Sequence, residues 1–294
     1  MVNSIINGTN YTDPQKSLMR IGVDVLPSIP KDTTDRNRTS PLAFTGNKFE
    51  FRMLGSSQSI AGPNIALNTI MAEELSKFAD ILEQAEDFDS TLHNLVCKAF
   101  TEHQRIIFDG NGYSGDWQVE AANRGLSNLP STPHAMPTYI SQKNLELVTK
   151  HGIFTETELR ARYAIHLESY NKIINIEAKT MLDMAMRQIL PSALSYIRSL
   201  SEGVVAKRSF GAGCKAETAL VERLSNLADE LYDGCEVLKS HLDAIPADFE
   251  AASRFYQQVV LADMAKIREA ADALETLTDR NCWPFPTYAD LLYY

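Results

Sequence analysis

Thr155-Glu156-Thr157-Glu158 opens the stretch that decides the fold. Threonine followed three residues on by glutamate fits a capping box, in which each side chain satisfies a backbone N–H the other leaves open. It launches a very long helical pattern through Tyr163, Ile165, His166, Tyr170, Ile173, Ile174, Ile176, Met181, Met184, Ile189 and Leu190. Pro191 falls inside this run. Because Leu194, Ile197 and Leu200 keep the period, the reading there is a kink and not a stop. Downstream, two further helices over 215–243 and 248–278 are joined at Ala244-Ile245-Pro246, a short connection that makes an antiparallel hairpin. The chain then closes on Trp283-Pro284-Phe285-Pro286-Thr287-Tyr288, an aromatic–proline tail read as non-helical. The fold class is mainly α.

Upstream, Ser141 to Gly152 reads as a helix, and Pro130, Pro133 and Pro137 make the preceding stretch irregular. Ser114-Gly115-Asp116-Trp117 opens a short helix that Gly125 closes. Two amphipathic helices come before it. One is capped by Asn64 and carries Ile65, Thr69, Met71, Leu75, Phe78 and Leu82. The other carries Leu92, Leu95, Val96, Ala99, Phe100, His103, Ile106 and Ile107 and ends at Gly110. Residues 1–60 are rich in Pro, Ser, Thr, Asn and Gly. Their clear strand candidate is Lys48-Phe49-Glu50-Phe51-Arg52-Met53.

The chain has 294 residues, 44% of them hydrophobic, enough for a real core and for about two domains. Thirty-eight acids against 28 bases leave a charge of −10, the wrong sign for a general nucleic-acid binder. No apolar run approaches the ~18 residues of a membrane span, and the start lacks the pattern of a secretory signal. The expected setting is therefore the cytoplasm, with four reduced, mostly structural cysteines (Cys97, Cys214, Cys235, Cys282). His93, His103 and His166 read as packing or surface residues, Met181, Met184 and Met186 as adaptable core filler, and Trp117 and Trp283 as packing anchors.

Chemistry concentrates in one strand. Period-two alternation puts Phe49 and Phe51 on one face and Lys48, Glu50 and Arg52 on the other, at ~7 Å repeats. Two cations suit phosphoryl oxygens, an arginine grips them bidentately, and a carboxylate among them suits a hard cation such as magnesium. An ion-paired strand face with no ligand satisfies the same pattern, and periodicity by itself favours it.

The literal residues add to this. Asn37-Arg38-Thr39-Ser40-Pro41, then Gly46-Asn47-Lys48-Phe49-Glu50-Phe51-Arg52, resembles the end of the catalytic domain of glutamine synthetases. Lys31-Asp32-Thr33-Thr34-Asp35-Arg36-Asn37-Arg38, the run Gly55-Ser56-Ser57-Gln58-Ser59-Ile60-Ala61-Gly62-Pro63-Asn64 and the tail from Trp283 are similar to the long type III enzymes. The likeness runs from about Leu26 to the C-terminus. It implies ATP-dependent ligation of ammonia to glutamate through γ-glutamyl phosphate, with ATP and Mg (or Mn) as cofactors, and a homo-oligomer. Position by position, it points to Arg38 as a contact of the transferred phosphate and Glu50 as a metal ligand. It points to Arg52 as a group that binds the phosphoryl or substrate glutamate, and to Lys48 at nucleotide phosphates. Arg36 is either a second phosphate contact or a partner of Asp35. One departure stands out: the family's second arginine, five residues after the first, is replaced here by Ala43.

The family's other metal glutamates and its histidine- and glycine-bearing stretch have no counterpart. The 35 residues before Arg36 hold no Glu and no His. The expectation is therefore one wall of an active site, in a partial catalytic α+β end over 1–112, followed by a helical C-terminal domain over 113–294. The isolated chain is expected to be inactive. The other readings are a helical oligomerisation module and a catalytically dead pseudo-enzyme.

Overall fold

In the computed structural model the described residues are 2–9, 18–19, 29–30, 42–44, 49–51, 55, 58–108, 115–286 and 288–292. They form α1 (Val2–Asn7), β1 (Leu18–Met19), β2 (Ile29–Pro30), β3 (Leu42–Phe44), β4 (Phe49–Phe51), α2 (Ala61–Leu82), α3 (Phe88–Glu102), α4 (Gly115–Asn123), α5 (Thr132–Tyr139), α6 (Gln142–Lys150), α7 (Glu156–Met184), α8 (Leu190–Ser209), α9 (Lys215–Asp243), α10 (Phe249–Phe255), α11 (Leu261–Leu277) and α12 (Tyr288–Leu292). The chain is mainly helical, and none of these helices is long and apolar enough to cross a membrane. It divides into two compact units, residues 1–128 with 146–153, and residues 129–145 with 154–294.

The second unit is built on a helical hairpin. Along α9 the buried residues are Leu224, Ala228, Leu231, Cys235 and Leu238, spaced four and three apart. Along α11, Asp263, Ile267, Ala270 and Leu274 repeat the same spacing. A 3.5-residue period keeps one seam facing a partner helix, which is why α9 and α11 pack side by side. Gly234 sits at a tight contact between them: a Cβ there would lie 3.1 Å from Ile267 Cγ1. α8 packs on α9 as well, adding Ala193 and Val204 to the buried set.

α7 begins as expected. The Thr155 hydroxyl accepts from the Glu158 N–H at 3.2 Å, and the Glu158 carboxylate accepts from the Thr155 N–H at 2.8 Å. Its buried stripe, Leu159, Tyr163, Leu167, Ile174 and Ala178, is not the one bulk hydrophobicity suggests. Ile165, Ile173 and Ile176 are each at least half exposed. Even Ala178 is buried at the right angle while these isoleucines at the wrong one are not, because burial follows helix phase. Near Pro191 the helix widens into a π turn over Ala185–Ile189, then resumes as α8 with the proline in its first turn. A proline in a first turn lacks only an N–H that would have no intrahelical partner anyway, so the helix continues past it. A second π turn, Tyr256–Val260, joins α10 to α11 with no proline or glycine beside it.

Several boundaries differ from the sequence reading. α2 starts at Ala61 and not after Asn64, because Pro63 is tolerated in a first turn and Ser59 Oγ accepts from the Ala61 N–H at 3.2 Å. α3 ends at Glu102, giving way to a 3₁₀ turn over Gln104–Ile106; Gly110 lies outside the described residues. Pro133 and Pro137, read as breaking structure, fall within helix α5, with Pro133 in its opening turn. Gly125 and Gly152 do stop their helices, at φ +69° and +62°. The tail is irregular over Trp283–Pro286, but Tyr288 starts the short helix α12.

The first unit is put together differently. Among its described residues no hydrophobic side chain is buried; Thr69 is the one buried residue. Polar ties and ring contacts join these described residues. Trp117 stacks on Phe108 at 4.0 Å, and the Arg124 guanidinium lies over Trp117 while donating to the Ile107 carbonyl at 2.8 Å. Lys150 and His151 both reach Glu73 of α2, at 3.0 and 2.8 Å. Hydrogen bonds from Lys150 and then His151 hold the Glu73 carboxyl far below its ordinary value of 4.5, at about 2. Because the folded value is the lower one, this tie is complete above pH 4.5 and is lost as pH falls from there toward 2. Glu73→Gln is expected to flatten the acid-induced loss of helicity across that window, read by circular dichroism. An acid profile identical to that of the unmodified chain would dismiss the tie as a stabilising contact.

Candidate functional site

β3 and β4 form an antiparallel pair with Leu42 opposite Phe51, Ala43 opposite Glu50 and Phe44 opposite Phe49. Three residues of the expected strand are thus strand in fact, and the alternation puts position 50 on the face away from positions 49 and 51. Glu50 is half-buried there. The register brings one further fact: Ala43, where the family pattern would place its second arginine, is the direct cross-strand neighbour of Glu50. Arg38, Lys48 and Arg52, and with them Arg36, lie outside the described residues.

Magnesium binds through carboxylates and phosphate oxygens in a near-octahedral shell. Glu50 offers one suitable donor on a fixed strand. Among the described residues no three His, Cys, Asp or Glu stand together as a metal site. The described part therefore fits one ligand of a metal set and not a whole set, and no step through a metal or nucleotide follows from it.

The helical unit holds polar groups that the sequence did not reveal. Asp263, buried on α11, pairs through Oδ2 with His241 Nδ1 of α9 at 2.5 Å. A carboxylate taken out of water needs such a partner, and this one clamps the hairpin near its connected end. Asn171 of α7 donates to the Phe249 carbonyl at 2.9 Å, tying α7 to the start of α10. Partners 22 and 78 residues apart have no signature in the linear sequence. The cysteines are all free. Burial pushes the Cys235 thiol up to about 11, the state of an inert core residue. Cys214 is lowered by Arg208 and Thr218 beside it.

The expected minor residues fall largely as read. Met181 and Met186 pack against the hairpin core, as does Trp283, which meets Phe285 edge to face. His93 lies 3.5 Å from the Cys97 sulfur, and His166 meets Tyr139 edge to face.

One family model, "Glutamine synthetase C-terminal domain", matches residues 91–208, the helical stretch from α3 to α8. Among curated proteins, the chain is 36% identical over its whole length to the type-3 glutamine synthetase of Dictyostelium discoideum, covering 41% of that protein. It is 37% identical over 90% of its length to the glutamine synthetase of Butyrivibrio fibrisolvens, covering 38%. To that of Bacteroides fragilis (strain YCH46) it is 32% identical over 98%, covering 41%. The chain belongs to the glutamine synthetase family and corresponds to a C-terminal portion of the type III enzymes. It spans about two fifths of the length of these curated relatives.

Proposed function

We propose that this chain forms the C-terminal portion of an ATP-dependent glutamate–ammonia ligase, which makes glutamine through γ-glutamyl phosphate. The observation that carries this reading is the whole-length likeness to an enzyme named type-3 glutamine synthetase. Residues 1–112 are the end of the catalytic domain and residues 113–294 its helical companion, in a cytoplasmic homo-oligomer. Glu50 ligates a divalent metal. Arg38 and Arg52 bear on the transferred phosphoryl group, and Lys48 with Arg38 holds nucleotide phosphates. Fixed cations around a transferring phosphoryl group lower the barrier because they are already oriented where negative charge develops.

The isolated chain carries too few metal donors to catalyse, whereas a full-length enzyme containing it is expected to release phosphate from Mg-ATP in the presence of glutamate and ammonia. A phosphate-release assay of both proteins tests this. No glutamate-dependent release by the full-length protein would overturn the ligase reading, and full activity of the 294-residue chain would overturn the division of labour.

A further inference from the structure

The helical unit carries a groove of about 560 Å³ between α7 with its π turn, α11 and the tail. That volume is in the range of small-molecule sites, which are apolar clefts holding a few converging polar groups. Met181 and Met184 of α7 and Met264 of α11 line it, and methionine walls reshape around an incoming group. Trp283 and Phe285 of the tail complete the lining, with ring planes 74° apart and centroids 6.4 Å apart. Two rings at such an angle form two adjacent walls of an aromatic cage, which takes up ammonium heads against the negative faces of its rings.

The charges point the same way. Glu177 of α7 and Glu275 of α11 both stand at the groove, and among the described residues no hydrogen bond or ion pair engages either carboxylate. Asp272, the third acid, is taken by Arg268 at 2.5 Å, and Arg268 is the one cation among the described lining residues. Two uncompensated negative charges therefore border an apolar lining. An anion is repelled there, and a neutral apolar molecule gains nothing from the carboxylates. A cation with an apolar body gains from both features. A bare metal ion is a poorer match, because no three His, Cys, Asp or Glu among the described residues stand together to ligate it.

We propose that this groove is a binding site for an organic ammonium ion. The ammonium head lies against the rings of Trp283 and Phe285 in the field of Glu177 and Glu275, and its alkyl or aryl body lies along the methionine walls. The inference does not rest on the ligase reading, since it concerns the helical unit alone.

Isothermal titration of the 294-residue chain with hexyltrimethylammonium, hexanol and hexanoate, three probes with the same alkyl chain and different charge, tests it. Hexyltrimethylammonium is expected to bind saturably and on the order of tenfold more tightly than hexanol, with hexanoate weakest. Glu177→Gln combined with Glu275→Gln is expected to erase the preference for the ammonium while leaving hexanol binding in place. Phe285→Leu, which keeps an apolar wall and removes a ring, is expected to weaken the ammonium more than the alcohol. Met184→Arg, at a position 37% exposed, puts a cation into the groove and is expected to abolish ammonium binding. Unchanged circular dichroism checks that each variant keeps its fold. No saturable binding of hexyltrimethylammonium, an affinity equal to that of hexanol, or a preference that survives the double glutamine variant would each overturn the proposal.

Discussion

Glu50→Ala, placed in a full-length enzyme that carries this segment, is expected to cut glutamine formation on the order of a thousandfold or more while leaving the oligomer intact. The size follows from the role proposed for the carboxylate. A metal that neutralises a transferring phosphoryl group contributes several kcal/mol to the transition state, and each 1.36 kcal/mol is about tenfold in rate. The expected selectivity for activity over structure follows from position. Glu50 is half-buried on the β3–β4 pair and outside every buried cluster of the helical unit. Turnover measured across a magnesium series, with sedimentation of the same preparation, checks both halves. Wild-type turnover at every magnesium concentration would remove Glu50 from the metal set.

The largest stability effect is expected in the hairpin. Leu231→Ala removes a side chain with no exposed surface at the middle of the α9 seam, surrounded by the cluster that includes Leu224, Cys235, Leu238, Ile267 and Leu274. Loss of a fully buried leucine costs the transfer free energy of the lost methyl and methylene groups plus that of the cavity left behind. Here that is about 3 kcal/mol. Val237→Ala on the same helix, at a residue 45% exposed, is expected to change stability by under about 1 kcal/mol. Urea unfolding followed by Trp283 fluorescence, in a Trp117→Phe background, isolates the unit in which both residues sit. Equal midpoints for the two variants would mean that the α9–α11 seam does not hold the unit together.

Different parts of the chain were legible to different degrees. The long helices of the second unit were readable because a capping box and apolar residues recurring every three or four positions are local or periodic signals, and the stops at Gly125 and Gly152 were readable for the same reason. That the helix continues past Pro191 was also readable, although only the structure gave the form, a π turn ahead of the proline. Side-chain phase on α7 was harder. Ile165, Ile173 and Ile176 look like core in a list of apolar residues, but they lie off the axis that Leu159, Tyr163, Leu167, Ile174 and Ala178 define. Pro133 misled because proline disfavours a helix interior while remaining welcome in a first turn, and sequence alone does not say which applies; Pro137 lies inside α5, and nothing in the structure explains its tolerance there.

For the candidate site, the alternation that singled out Glu50 was visible in six consecutive residues. Its neighbour was not, because register is a relation between two strands, and only pairing them brought Ala43 opposite Glu50.

The sequence by itself determined the long helices, their order and the strand that presents the carboxylate, since these depend on propensity, capping and periodicity over a few turns. The tertiary structure decided which faces are covered. It set Asp263 against His241, brought Gly234 against Ile267, and left the first unit's described helices without a buried apolar residue. Burial and pairing between distant residues depend on how helices cross, and a one-dimensional pattern carries no record of that.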